Sequence, residues 1–176
     1  DCHVTPLIHG GGQERDVRSG TLDTPAIVGF AAALEITTAR KSETVARVAA
    51  LRDDLVKRVK EIAPDATYSG AITNRLVNNA HFVFPGCLGD SLLMLLDAQG
   101  VECSVGSACN AGVPQPSHVM LAMGADEDQA RSTLRFSLGW NSTQADVDEL
   151  IAALPSAIAR AKRAGVPKVT TAPVRV

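Results

Sequence analysis

A Thr-Pro step that opens a long run of apolar residues at helical spacing is the feature that most constrains this chain. Thr24-Pro25 reads as an N-cap followed by proline at the first helical position. Ile27, Phe30, Ala31 and Leu34 follow at three- and four-residue intervals. After polar residues 37–44 the pattern resumes at Val45, Val48, Leu51, Leu55 and Val59, and Ala63-Pro64-Asp65 ends it. One long bent helix, or two in tandem, is therefore predicted over 24–65. It separates two stretches of different character.

Residues 1–23 are rich in glycine and charge and carry no periodicity, so they read as loop with a short strand at Val4–Ile8. Residues 66–165 alternate short strands with helices. Strands are predicted at Ala80–Phe84, Val101–Ser104 and Thr133–Leu138. A helix is predicted over Asp90–Gln99, with Gly100 as its C′ residue. Ser117 caps a short helix through Met123 that Gly124 ends, and another short helix spans Asp126–Arg131. Thr143 with Asp146 forms a capping box for a long C-terminal helix, which Pro155 would kink if interior. This pattern is an α+β unit, and residues 166–176 read as a flexible tail. Aromatics are only 3% of the chain and alanines number 26, which favours helix-rich packing with close approaches.

The length of 176 residues suits one ordinary domain, or a small domain with part of another. A net charge of −2 excludes broad polycationic binding to nucleic acid. No apolar run approaches the roughly 18 residues of a membrane-spanning helix. Cys2, Cys87, Cys103 and Cys109 form no C-x-x-C pair, and His3, His9, His81 and His118 lack zinc-ligand spacing. The expectation is no metal site and a reducing, cytoplasmic compartment.

Three constellations could carry chemistry. Cys109 lies in the small-residue loop Val105–Gln115, where a thiol is unburied and free to travel, as a soft nucleophile must be. The alternative is a small apolar filler. Gly10-Gly11-Gly12 and the Arg, Ser and Thr donors from Arg15 to Thr21 could approach a phosphate, or form a solvated turn. Arg135 lies within the apolar alternation Leu134-Arg135-Phe136-Ser137-Leu138. It marks an edge strand or solvent face, or a guanidinium poised for bidentate binding of a carboxylate. His9, His81 and His118 read as structural, and Asn79 as a turn residue before a strand.

Taken together, these segments resemble the cysteine desulfurases, which belong to the class V aminotransferase group of fold-type I pyridoxal-phosphate enzymes. His9-Gly10-Gly11-Gly12-Gln13-Glu14-Arg15 with Arg18-Ser19-Gly20-Thr21 resembles their glycine-rich motif. Ser107-Ala108-Cys109 with Pro116-Ser117 and Val119 looks like their cysteine loop, in the longer-loop subgroup that serves iron–sulfur assembly and thiolation. Leu134-Arg135-Phe136-Ser137-Leu138-Gly139 looks like their substrate-carboxylate strand. The resemblance covers residues 4–165.

The resemblance implies an α/β parent of fold type I. Residues 1–23 would end its cofactor-binding large domain, 24–65 would form the connecting helix, and 66–165 the small domain. Cys109 would attack the sulfur of cofactor-bound L-cysteine, giving a persulfide and alanine. Arg135 would hold the substrate carboxylate, with Asn79 in support. Thr21 would reach the cofactor phosphate across a homodimer interface, and Arg18, Ser19 and Gly20 would serve the same site. The implied cofactor is pyridoxal 5'-phosphate, and the implied partners are L-cysteine and a sulfur-acceptor protein such as an iron–sulfur scaffold.

The chain also departs from the family pattern. The His-Lys turn that binds the cofactor covalently is absent, as are the His and Asp that contact its ring. The chain also opens on Asp1. The expectation is the C-terminal segment of a larger enzyme, active only with the upstream half. The alternatives are a non-catalytic fragment that binds partners, or a relative of the selenocysteine- or cysteine-lyase type.

Overall fold

The computed structural model describes residues 4–105 and 116–165. Two compact units make up the chain, Asp1–Glu43 and Thr44–Val176.

In the N-terminal unit the described residues before the first helix carry no strand. The expected strand at Val4–Ile8 reduces to one parallel bridge between Ile8 and Arg18, where the Ser19 N–H donates to the Ile8 carbonyl at 3.2 Å. Among the described residues nothing else pairs with Val4–Leu7, so apolar character alone does not make them a strand. Helix α1 (Thr24–Ile62) is one element of 39 residues. Its cap is Asp23 rather than Thr24. Asp23 Oδ1 accepts the Ala26 N–H at 3.2 Å, and the Asp23 carbonyl accepts the Ile27 N–H at 3.0 Å. Aspartate caps at least as well as threonine, and Pro25 still falls in the first turn, where its missing N–H is not needed. The first half of α1 leaves Ile27, Val28, Phe30, Leu34 and Ile36 exposed.

The C-terminal unit is built on a three-stranded antiparallel sheet in the order β1 (Thr67–Tyr68), β2 (Asn79–Val83), β3 (Thr133–Ser137). Strand β1 is too short to leave a period in the sequence. In β2 and β3 alternate residues point to opposite faces. Ala80 and Phe82, paired with Phe136 and Leu134, lie on one face and are all buried. Against them pack Val48, Leu51, Leu55 and Val59 of α1, Leu92 and Leu96 of α2 (Gly89–Asp97), and the Val147–Ala161 face of α5 (Gln144–Ala164). Most of the aromatics converge here. Phe82 has its ring centroid 5.2 Å from Tyr68, 5.8 Å from Phe84 and 6.3 Å from Phe136. Each such side chain removed from water stabilises the fold by about 1.5–3 kcal/mol.

Local signals set the helix ends. The Thr143 side chain accepts from Asp146 N–H, and Asp146 returns the bond, completing the capping box of α5. Pro155 lies inside this helix, so the carbonyl one turn back loses its usual donor. Helix α2 ends in paired bonds from Gly100 N–H to Asp97 O and from Val101 N–H to Leu96 O. This is a Schellman ending, for which Gly100 takes a φ of +80°. Gly89 opens α2 against β3. A Cβ there would stand 2.5 Å from the Thr133 carbonyl, so only glycine permits the approach. Ser117 caps α3 (His118–Ala122), and Asp126 with Gln129 forms a capping box on α4 (Glu127–Arg131).

The second sheet face is covered only in part. Val83 packs with Met120 and Ala130 in a small separate cluster. The expected strand at Val101–Ser104 is absent. Only Ser104 reaches the sheet, by an isolated antiparallel bridge to Arg135. Among the described residues no helix is long and apolar enough to cross a membrane.

Candidate active site

The register of β2 and β3 puts polar residues together on the face away from the core. Asn79 pairs with Ser137, and His81 with Arg135. Beside them lies a cavity of about 490 Å³ whose walls include Ser69, Arg75, Asn79, His81, Ser117 and Arg135. That volume lies within the usual range of small-ligand sites.

Arg135 is held firmly by its backbone and loosely by its side chain. Its N–H donates to the Ser104 carbonyl at 2.8 Å, and its carbonyl accepts from Ser104 N–H at 3.0 Å. β3 is the last strand of the sheet, and on its outer side Arg135 is bridged by Ser104 alone. Arg135 marks the solvent face, where it is exposed. Its guanidinium makes one long contact among the described residues, from Nη2 to Ser104 Oγ at 3.4 Å. Most of its five donors are therefore open to a ligand.

Arg75 is the opposite case. Its Nη1 donates to the Ser69 carbonyl at 3.3 Å and the Ala71 carbonyl at 3.1 Å, and its Nη2 to the Asn79 carbonyl at 3.3 Å. The guanidinium carbon sits 3.9 Å from the centre of the Tyr68 ring, a cation–π contact. Its Nε is buried without a partner among the described residues. This arginine braces the wall, whereas Arg135 faces the ligand space. Asn79, read from the sequence as a turn residue, is the first residue of β2 and lines the cavity, and its carbonyl also accepts from the Tyr68 hydroxyl at 3.4 Å.

Sequence reasoning passed over two contributors. His81 read as structural, yet its Nδ1 lies 3.0 Å from Ser69 Oγ and its ring lines the cavity. Burial, then Arg135 and Arg75, push its pKa below the usual histidine value. Arg75 gave no signal in the sequence, because its partners are backbone carbonyls brought near by the chain's own turn.

The cysteines separate on thiol chemistry. Cys109 and its neighbours Ser107 and Ala108 lie outside the described residues. Burial raises the Cys103 thiol to about 11, with Asp97 adding to the effect. Burial likewise raises Cys87, which is fully enclosed in the core. Neither supplies a thiolate near neutral pH.

The phosphate donors expected at Arg18 to Thr21 all lie in the N-terminal unit. Ser19 is buried at 2% exposure, and the Gly20 N–H is taken by Gln13 Oε1 at 3.0 Å. Thr21 is exposed, and so is Arg18, which donates from Nη1 to the Thr21 carbonyl at 3.2 Å. A hydroxyl and a guanidinium side by side suit a phosphate. Among the described residues no lysine lines the Arg135 cavity. Lys60 bonds the carbonyls of Pro64 and Ala66, and Lys162 pairs with Asp65 at 2.7 Å. The donors present fit the phosphate of a pyridoxal cofactor but offer no point for its covalent attachment.

The chain matches the family model described as aminotransferase class-V over residues 7–150. It belongs to that family. It is 54% identical to an IscS-like cysteine desulfurase of Mycobacterium tuberculosis over 94% of this chain and 42% of the relative. It is 41% identical to cysteine desulfurase IscS 1 of Archaeoglobus fulgidus over 89% of this chain and 41% of the relative. Among solved structures, a NifS-like protein from Rickettsia africae aligns with a TM-score of 0.77 at 31% identity, covering 89% of this chain and 40% of that one. The fold is thus that of a segment of a NifS-like class-V enzyme, as the sequence motifs suggested. The chain spans about two fifths of the length of the curated relatives it matches.

Proposed function

We propose that this chain is the C-terminal part of a pyridoxal-phosphate-dependent cysteine desulfurase. The observation that carries the reading is Arg135, clamped by its backbone on β3, exposed, and with most of its donors free beside a cavity of ligand size. A bidentate guanidinium is the group of choice for a carboxylate, and the similar proteins named above are desulfurases.

Each residue then has a task. Arg135 binds the carboxylate of L-cysteine and so fixes the Cα–Cβ–S unit. Asn79 supports that wall. When bound, the cofactor supplies an electron sink that loosens the Cβ–S bond. Cys109 takes the sulfur: the Cβ–S bond of the substrate breaks, an S–S bond forms on Cys109 Sγ, and Cβ gains a proton to give alanine. Cys109 then passes the sulfur to an acceptor protein such as an iron–sulfur scaffold, which suits a position in a loop of small residues. A reducing, cytoplasmic setting that keeps Cys109 a thiol belongs to this reading.

Residues 1–23 belong to the end of the large domain, 24–65 to the connecting helix and 66–165 to the small domain; the tail expected at 166–176 lies outside the described residues. Thr21, with Arg18, reaches the cofactor phosphate of a partner subunit in a homodimer. The exposed apolar side chains of Ile27, Phe30 and Leu34 lie against the rest of the enzyme.

The test uses the full-length protein loaded with pyridoxal phosphate and given L-cysteine. Alanine is released and Cys109 gains the mass of one sulfur. If Cys109→Ala released alanine and sulfide at the wild-type rate, the assignment would be wrong. A protein that dimerises yet never carries the added sulfur would instead be a binding fragment.

A further inference from the structure

His81 and Arg135 are paired across β2 and β3, and their backbone bonds all point away from each other. Both Arg135 backbone groups bond Ser104, and the His81 carbonyl accepts from the Ser69 N–H at 2.8 Å. They therefore form the non-hydrogen-bonded kind of antiparallel pair, in which Cα atoms approach to about 4.5 Å and the side chains are closest. Both side chains line the same cavity.

The imidazole is fixed at one end. Its Nδ1 lies 3.0 Å from Ser69 Oγ. The Ser69 carbonyl is in turn gripped by Arg75, so the serine is itself held in place. Nε2 has no hydrogen-bond partner among the described residues. His81 lines the cavity, so an Nε2 without a protein partner is open to a ligand there. With the Ser69 hydroxyl donating to Nδ1, the neutral ring carries its proton on Nε2 and presents an N–H beside the Arg135 guanidinium. Two adjacent donors of this kind fit one anionic group better than any neutral one.

We infer that His81 is a second ligand for the carboxylate that Arg135 binds, donating from Nε2 and so helping to select α-carboxylate substrates. The inference rests on the carboxylate reading of Arg135. It predicts that the carboxylate is held by a neutral donor as well as a charged one, with Ser69 setting the tautomer and Arg75 setting Ser69.

The experiment uses the full-length, cofactor-loaded enzyme and measures kcat and KM for L-cysteine, together with inhibition by L-alanine, a carboxylate that carries no sulfur. His81→Phe keeps a planar ring and removes the donor. It should raise KM and the L-alanine inhibition constant together by roughly ten-fold or more, as expected for losing a donor to a charged acceptor, with kcat within about two-fold. His81→Gln restores an N–H at similar reach and should recover most of the loss. If His81→Gln is as impaired as His81→Phe, the ring serves packing and the inference falls. Should His81→Phe fail to fold, His81→Asn, polar but too short to reach, takes its place and must show the same rise.

Arg135→Lys runs alongside. If it raises KM while the His81 variants do not, His81 alone is wrong. If Arg135→Lys leaves both constants unchanged, the carboxylate reading itself is wrong.

Discussion

His81 and Arg135 face each other across the β2–β3 ladder while their backbone bonds run outward to Ser69 and Ser104. A cationic imidazole in that position would be partly desolvated and would stand beside a permanent guanidinium. Burial is the larger effect, followed by Arg135 and then Arg75, and all three favour the neutral ring.

The first prediction follows for pH. Because the folded pKa of His81 lies below the unfolded value of about 6.5, the unfolded chain binds more protons as pH falls through that value. Stability attributable to His81 is thus present at neutral pH and is lost as pH drops from about 6.5 toward the folded pKa. Hydrogen–deuterium exchange at the imidazole C2 position, followed peptide by peptide in the full-length protein, should return a His81 pKa below that of unfolded histidine. A value at or above it would contradict the pairing. In Arg135→Gln the measured value should move upward.

Thiol reactivity gives the second prediction. Cys103, raised to about 11 by burial, and Cys87, enclosed in the core, should resist iodoacetamide in the native full-length protein at about pH 8. Cys109 should alkylate much faster. Cys103→Ser should leave sulfur transfer from cysteine within about two-fold of wild type, whereas Cys109→Ala should abolish it. Rapid labelling of Cys103 would show that solvent reaches its thiol.

Much of this fold was legible because its signals are local. Thr143 with Asp146, Ser117, and Gly100 each act within one helical turn, so the sequence displays both partners of every bond. The carboxylate-strand motif likewise placed Arg135 on a strand. What could not be read depends on register. His81 looked structural because its significance lies in the residue opposite, and nothing in a single strand says what it will face. The strand expected at Val101–Ser104 likewise depends on a partner, and only Ser104 finds one. Asp23 displaced Thr24 as a cap because two adjacent residues compete for one task.

Gly89 supplies a third prediction about how the site is supported. A Cβ at this position would meet the Thr133 carbonyl at 2.5 Å, the Arg131 carbonyl at 3.1 Å and Val105 Cγ1 at 3.1 Å. Two of these are backbone atoms and cannot rotate aside. Gly89→Ala should therefore push α2 off β3 and destabilise by about 1–3 kcal/mol, the usual range for overpacking. Thr133 lies two residues from Arg135 on the same strand, so the shift should also raise KM for cysteine. Gly100→Ala is the contrast: its φ of +80° strains the turn but nothing stands within 4 Å. It should cost roughly 1 kcal/mol and leave KM unchanged. Thermal melts and steady-state kinetics on the same preparations separate the two effects.

Arg75 carries the last prediction. Its guanidinium spans the carbonyls of Ser69, Ala71 and Asn79 and stacks on Tyr68, so it joins β1, the 69–79 turn and the start of β2. Lysine would keep the charge but could not reach three carbonyls from one plane while covering a ring. Arg75→Lys should loosen the turn without unfolding the sheet, because Arg75 touches the aromatic cluster only at Tyr68, while Phe82, Phe84 and Phe136 stay buried. Amide exchange should accelerate at residues 69–79 and stay at the wild-type rate in β3. Ser69 would then no longer hold the His81 ring, and KM for cysteine should rise. Unchanged exchange across 69–79 would show that the turn is held by its backbone alone. A fall in kcat with KM constant would place Arg75 in a role other than bracing the carboxylate wall.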